Sequence, residues 1–174
     1  PEHKQHIKVR MATTHAGARV LSWLQPAPDD PARPLPEAPP VAFDKEAVRS
    51  QAEHELGEFL VSGGRITLPA SDGAPVVSVI VVLFNQAGLS RWCLQALAES
   101  RGVTFETLIV DNASTDRVPH LLERVDGVHV LPQEENLGFL RAVNLAAAQA
   151  RGRYLLLLNN DAVVEPETLA RAAR

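Results

Sequence analysis

Residues 76–84 read VVSVIVVLF, nine positions of which only Ser78 is polar. A strand with one wet face would alternate polar and apolar residues. This run does not alternate and is rich in β-branched side chains, so it predicts a strand buried on both faces, as in a parallel sheet covered by helices. The stretch that follows, GLSRWCLQALAES (88–100), changes period. Leu89, Trp92, Cys93, Ala96 and Leu97 share one helical face, and Ser90 is the expected N-cap. That face turns Cys93 toward the sheet as a small hydrophobe rather than a reactive thiol. The alternation then repeats: strand FETLIV (105–110), a helix near Pro119 to Val125, strand VHVLP (128–132), a helix from Phe139 to Ala150 closed by Gly152, and strand YLLLL (154–158). Four strand–helix units in a row predict an α/β fold built on a doubly wound, mostly parallel sheet.

In such sheets ligands sit beyond the carboxyl ends of the strands, where the loops into the helices gather. The polar clusters of this chain fall at those positions. Asn85 and Gln86 follow the first strand, Asp111 to Asp116 the second, Gln133 to Phe139 the third, and Asn159, Asn160 and Asp161 the fourth. Each cluster taken alone has a plain reading as turn and cap residues, and Asp116 in particular reads as a helix cap. Together they predict a polar small-molecule site. The first loop, LFNQAGLS, lacks the G-x-G-x-x-G turn of dinucleotide-binding enzymes. The chain also lacks a G-x-x-x-x-G-K-[ST] phosphate loop and a G-x-S-x-G nucleophile elbow.

The rest of the sequence narrows the class. With 174 residues and 45% hydrophobic content the chain can build a substantial core. A formal net charge of -4 gives no basic footprint for nucleic acid. The single cysteine, Cys93, can form no internal disulfide, which fits a reducing compartment. No apolar stretch approaches the roughly 20 residues of a membrane span, and the expectation is a cytoplasmic protein, or one peripheral to the inner face of the membrane.

Residues 1–43 form an N-terminal extension, and QPAPDDPARPLPEAPP (25–40) holds seven of the 13 prolines. That density predicts an extended linker. Residues 44–75 are read as an accessory helix and connector. Asp44 is the N-cap, Val48, Ala52, Leu56, Phe59 and Leu60 lie on one face, and Gly63-Gly64 supply the stop. His3, His6, His15 and His54 are scattered, and are read as surface histidines rather than metal ligands. The chain starts without Met and stops in an apparent helix, so the expectation is a portion of a longer protein, with residues 76–174 an incomplete domain.

VSVIVVLFN (77–85), LIVDNASTD (108–116) and ENLGFLRAVNLAAAQARGRYLLLLNNDAVVEP (135–166) resemble, in order and spacing, the nucleotide-binding half of family 2 glycosyltransferases, which have the Rossmann-like GT-A fold. The resemblance implies a donor site for a nucleotide-diphosphate sugar. Leu83, Phe84 and Asn85 would lie beside the base, and Asp111 would hydrogen-bond it, commonly as uracil, with Asn112 and Ser114 nearby. Asn136, Gly138 and Arg141 are candidates near the ribose and sugar. The NND triplet stands where the family has D-x-D, which makes Asp161 the ligand of a divalent metal, Mg2+ or Mn2+, and Asn160 a ribose or sugar contact.

The implied activity is inverting, metal-assisted sugar transfer to the hydroxyl of a glycan or lipid-linked acceptor. The catalytic base is expected downstream of Arg174, since Glu165 and Glu167 suit the first turn of a helix. On that expectation the isolated fragment would bind donor without transferring sugar. The alternatives are a non-catalytic transferase-like scaffold and, more remotely, a nucleotidyltransferase.

Overall fold

The computed structural model describes residues 44–69 and 73–174, together with the backbone of residues 5–7. The Pro-rich stretch, His3 and His15 lie outside the described residues, as does the side chain of His6. In chain order the elements are β1 (Gln5–Ile7), α1 (Lys45–Val61), β2 (Ile66–Thr67), β3 (Val77–Leu83), α2 (Ala87–Ala98), β4 (Phe105–Asp111), α3 (Val118–Leu122), β5 (Val125–Asp126), β6 (His129–Pro132), α4 (Gly138–Ala147), β7 (Tyr154–Asn159) and α5 (Thr168–Ala172). No helix among the described residues is long and apolar enough to cross a membrane.

β3 lies inside a parallel sheet of order β1-β7-β3-β4-β6. One neighbour sets Val77 opposite Phe105, and the other sets it opposite Tyr154. The two faces of β3 divide as its composition demands. Val77, Val79, Val81 and Leu83 join the core that includes Cys93, Leu94 and Leu97 of α2. Ile80 joins Leu108 and Val110 against Ala142, Val143 and Ala146 of α4 on the other side. With helices covering both faces, neither set of side chains meets water, so the strand carries no polar alternation. Strand order runs outward from β3 through β4 to β6, then β7 returns to the opposite side of β3. The chain therefore reverses its winding between β3 and β7, and a crevice at the carboxyl edge is expected there.

Several boundaries differ from the sequence expectation. α2 begins at Ala87, so Ser90 is not its N-cap; the Ser90 hydroxyl instead donates back to the carbonyl of Gln86 at 3.1 Å. The helix expected up to Val125 stops at Leu122, because Val125 and Asp126 pair in parallel with Ile66 and Thr67. The connector after α1 is thus tied to the domain by a small second sheet, and Arg65 clasps Asp126 beside it at 2.6 and 2.9 Å. α4 ends at Ala147 rather than Ala150, since Gln149 and Ala150 bond to carbonyls three residues back and tighten the last turn. Gly152 does not close that helix. It lets the chain pass close to β3, where a Cβ would lie 2.5 Å from the amide nitrogen of Ser78.

α1 is built as its sequence suggests. Asp44 accepts from the amides of Glu46 and Ala47 at 3.0 and 3.1 Å, and Gly63 follows the helix with φ +73°. Ala52 and Leu56 are fully buried, Val48, Phe59 and Leu60 partly so. The surface they meet is largely α2. The approach is close enough that a Cβ on Gly88 would stand 2.5 Å from the carbonyl carbon of Ala52. His54 is exposed beside Glu58, as expected of a solvated histidine.

Candidate functional site

The carboxyl ends of β3, β4, β6 and β7 deliver their polar loops to one edge, and side-chain hydrogen bonds join those loops. Leu83 is fully buried in the core and its carbonyl accepts from Asn112 N at 2.9 Å, so it meets a ligand only through its neighbours. The expectation sets Leu83 beside the base, and its side chain is packed into the core. Phe84, by contrast, is 46% exposed.

Asn85 and Gln86 both have positive φ, 58° and 60°, an unusual pair for residues with side chains. The surroundings fix this conformation. Asn85 N donates to Ser114 Oγ at 3.0 Å, while Asn85 Oδ1 accepts from Thr115 N at 2.8 Å and Asp116 N at 3.3 Å. The Asn85 amide oxygen therefore serves as a tie between loops, rather than as a free ligand group.

The turn also leaves α2 with no cap from its own Gln86 side chain. Two distant carboxylates replace it. Asp116 Oδ2 accepts from Ala87 N at 2.9 Å, and Glu53 Oε1 accepts from Gly88 N at 2.8 Å. Asp116 also accepts from Val118 N at 2.9 Å through its other oxygen, so its expected role as a cap holds for two helices. In dinucleotide-binding sheets the corresponding helix N-terminus receives the pyrophosphate. Here carboxylates already satisfy those amides and the helix dipole, and a diphosphate must find its positive partner elsewhere.

Asp111 ends β4 at 8% exposure, and its Oδ1 accepts from Ser114 N at 3.0 Å across a turn in which Ala113 has φ 62°. Its second oxygen makes no hydrogen bond among the described residues. Asn112, at 2% exposure, is occupied at both ends: Nδ2 donates to Asn136 Oδ1 and Oδ1 accepts from Leu137 N, each at 2.8 Å. Asn136 Oδ1 also accepts from Gly138 N at 2.8 Å. Gly138 has φ +72° with open space around it, so conformation rather than crowding calls for glycine. Asn112 is thus a positioning residue for the loop that begins α4. Arg141, one turn into the helix, is exposed with no ion pair among the described residues.

At the end of β7, Asn159 is exposed and its carbonyl accepts from Cys93 Sγ at 3.5 Å and Ala162 N at 3.1 Å. Asn160 Nδ2 reaches Ser90 Oγ at 3.2 Å and the carbonyl of Asn85 at 3.5 Å, bridging β7 to β3 at the point where the winding reverses. Its Oδ1 makes no hydrogen bond among the described residues. The Asp161 carboxylate is half-buried and makes no hydrogen bond or ion pair among the described residues. Its charge is nevertheless felt below. Burial, and then the negative Asp161, push the Cys93 thiol up to about 12, as expected of a core cysteine.

Among the described residues no group of three or more His, Cys, Asp or Glu side chains could cage a metal. A single unpartnered carboxylate still fits Mg2+ or Mn2+ of the kind completed by water and substrate phosphates. Ser90 as the partner of Asn160, and Glu53 as a cap, leave no local sequence signal, because both contacts span more than thirty residues.

The family model described as Glycosyl transferase family 2 matches residues 78–174. Among curated proteins, the succinoglycan biosynthesis protein ExoO of Rhizobium meliloti is 31% identical over 105 residues, 59% of this chain and 30% of that one. The PGL/p-HBAD biosynthesis glycosyltransferase of Mycobacterium tuberculosis is 32% identical over 109 residues, 58% of this chain and 41% of that one. Among solved structures, S. aureus TarS 1-349 in complex with UDP superposes with a TM-score of 0.51 at 31% identity, covering 56% of this chain and 30% of that one. The mannosyltransferase PcManGT of Pyrobaculum calidifontis, in complex with GDP-Man and Mn2+, superposes with a TM-score of 0.52 at 24% identity, covering 72% of this chain and 40% of that one, a likeness of fold. The chain therefore spans about a third of the length of the relatives it matches.

Proposed function

The chain belongs to glycosyl transferase family 2 and has the α/β architecture of GT-A enzymes, and we propose that residues 76–174 hold the nucleotide-diphosphate sugar from which the protein transfers a sugar. The observation that carries this reading is the pair of acids at the carboxyl edge, Asp111 with one free oxygen and Asp161 with none engaged, set in loops bonded to one another across the β3–β7 reversal.

Each side chain has a job within that reading. Asp111 accepts the imide N–H of a uracil-like base with the oxygen that Ser114 leaves open, and exposed Phe84 stacks against the ring. Asn136, Gly138 and Arg141 face the ribose and sugar, and Asn160 offers its carboxamide oxygen to a hydroxyl while its nitrogen stays tied to Ser90. Asn112 and Ser114 act at one remove, by fixing the loops.

The α2 N-terminus is closed to phosphate by Asp116 and Glu53, so the diphosphate lies toward Asp161. Asp161 is the carboxylate that would hold a divalent cation there. When bound, that cation supplies Lewis-acid stabilisation of the charge that develops on the leaving diphosphate.

Transfer also needs a base to take the proton of the acceptor hydroxyl. Glu167 is paired with Arg171 at 2.9 Å, which suits a helix start and not a base. In this reading residues 76–174 supply the donor half-site of an inverting enzyme and neither the base nor the acceptor site. Relatedness to a succinoglycan biosynthesis protein supports an acceptor in glycan synthesis, and the proposed reaction uses a glycan or lipid-linked hydroxyl in the cytoplasm or at the inner face of the membrane.

Calorimetry of the full-length protein with UDP, GDP and dTDP, with and without Mn2+, tests the reading. Binding of at least one diphosphate, strengthened by Mn2+, is expected; binding of none would overturn it.

A further inference from the structure

We infer that Glu53 of α1, which lies outside the family-matched segment, is a positioning residue of the donor site. The inference rests on the donor-site reading above, which uses Glu53 only to close the α2 N-terminus, and extends it to the loops that meet the base. Three contacts converge on this one residue. Its Oε1 accepts from Gly88 N at 2.8 Å, its Oε2 pairs with the Arg117 guanidinium, and its backbone carbonyl accepts from the same guanidinium at 2.8 Å.

Gly88 lies three residues after Asn85, and Arg117 three residues after Ser114. Glu53 therefore grips from behind both of the loops that carry the proposed base contacts, Phe84–Asn85 and Asp111–Ser114.

Local geometry explains why the grip is needed. Asn85 and Gln86 occupy the left-handed region, which Asn tolerates and Gln disfavours, and Gln86 gives α2 no side-chain cap. The loop holds its shape only if the amides that follow it are satisfied from outside, and Asp116 and Glu53 satisfy two in succession. The close passage of α1 allows Glu53 to reach in. At Gly88 a Cβ would collide with the Ala52 backbone at 2.5–2.6 Å, so the missing side chain at 88 and the carboxylate at 53 work as a pair.

Glu55 offers an internal control. It anchors the same helix to the same neighbour, accepting from Trp92 Nε1 at 2.7 Å and pairing with Arg91 at 2.8 Å, but it touches neither loop.

The test compares Glu53→Ala, Glu53→Gln and Glu55→Ala in the full-length protein, well below their melting temperatures. The readouts are the dissociation constant for UDP, GDP or dTDP with Mn2+ and hydrogen exchange at the Gly88 amide. Glu53→Ala is expected to weaken nucleotide binding about tenfold, the order expected for one charge-assisted hydrogen bond, and to deprotect Gly88 whether or not nucleotide is present. Glu53→Gln, which keeps an acceptor for Gly88, recovers much of both. Glu55→Ala lowers the melting temperature and leaves the dissociation constant unchanged.

If Glu53→Ala binds nucleotide like the wild type, this inference fails while the donor-site reading stands. If Glu55→Ala weakens binding as much as Glu53→Ala does, α1 acts only as packing and the inference fails in that form. Should the wild type bind no nucleotide, both fall.

Discussion

Asn112→Ala isolates the tie between the second and third loops. The native carboxamide is almost wholly buried and makes two hydrogen bonds of 2.8 Å, one to Asn136 Oδ1 and one from Leu137 N. Two neutral hydrogen bonds at about 0.5–1.5 kcal/mol each, with a Leu137 amide left half-buried and unpaired, give a loss of about 2–3 kcal/mol. For a chain of this size that corresponds to a fall in melting temperature of roughly 5–10 °C. The companion Asn112→Asp keeps the acceptor for Leu137 N but sets a carboxylate oxygen against Asn136 Oδ1, which is already committed to Gly138 N.

That repulsion raises the folded-state pKa of the introduced acid, so its penalty is largest at neutral pH and shrinks as the pH falls through that value. Differential scanning calorimetry of both variants at pH 7 and pH 5 reads the stability, and nucleotide titration reads the site. Both variants should bind donor more weakly than wild type, because the Asn136–Gly138 loop has lost its anchor. An Asn112→Ala protein within about 0.5 kcal/mol of wild type, the range of ordinary surface changes, would refute the bonding pattern on which the loop network rests.

Cys93 should resist alkylation by iodoacetamide at pH 8 in the folded protein and react fully in urea, since burial and the neighbouring Asp161 hold its thiol near 12; stoichiometric labelling of the native protein would contradict its place in the core. Glu106 gives a pH prediction. Burial opposes its ionisation, but the Ser78 hydroxyl at 2.6 Å, the Arg151 amide at 2.6 Å and the Arg151 guanidinium at 2.8 Å outweigh burial and hold the carboxyl below its ordinary 4.5. A depressed carboxyl stabilises the fold above its unfolded value and loses that contribution as the pH drops through the folded one. The melting temperature of wild type should therefore fall on acidification below pH 4.5, and Glu106→Gln should flatten that slope; an unchanged slope would show that the pairing contributes nothing.

The parts of this fold that were legible in the sequence are those dictated by local composition. The unbroken apolar run of β3 required cover on both faces, and α2 and α4 supply it from opposite sides. The polar residues at each strand end were placed correctly because strand and loop lengths alone bring them to one edge.

What local composition could not show is how those residues are occupied. Ser90 looked like a cap because it is a good one, yet α2 starts three residues earlier, on caps supplied by Asp116 and Glu53 from 29 and 35 residues away. Val125 looked helical until its pairing with Ile66, a contact set by the distant connector. The resemblance puts Leu83 and Asn85 beside the base and Asn112 near it. One is core, and the other two spend their polar groups on neighbouring loops. Side chains left open, such as Phe84, Arg141 and Asp161, stand out only once the occupied ones are known.

Asp161 decides the account most directly, and the measurement is the effect of Mn2+ on nucleotide-diphosphate affinity in wild-type protein and in Asp161→Asn. The wild type should bind UDP, or whichever diphosphate it prefers, more tightly with Mn2+ than without, and Asp161→Asn should keep the metal-free affinity while losing the Mn2+ increment. An Asp161→Asn protein that retains the full increment would place the cation elsewhere and contradict the account at its centre.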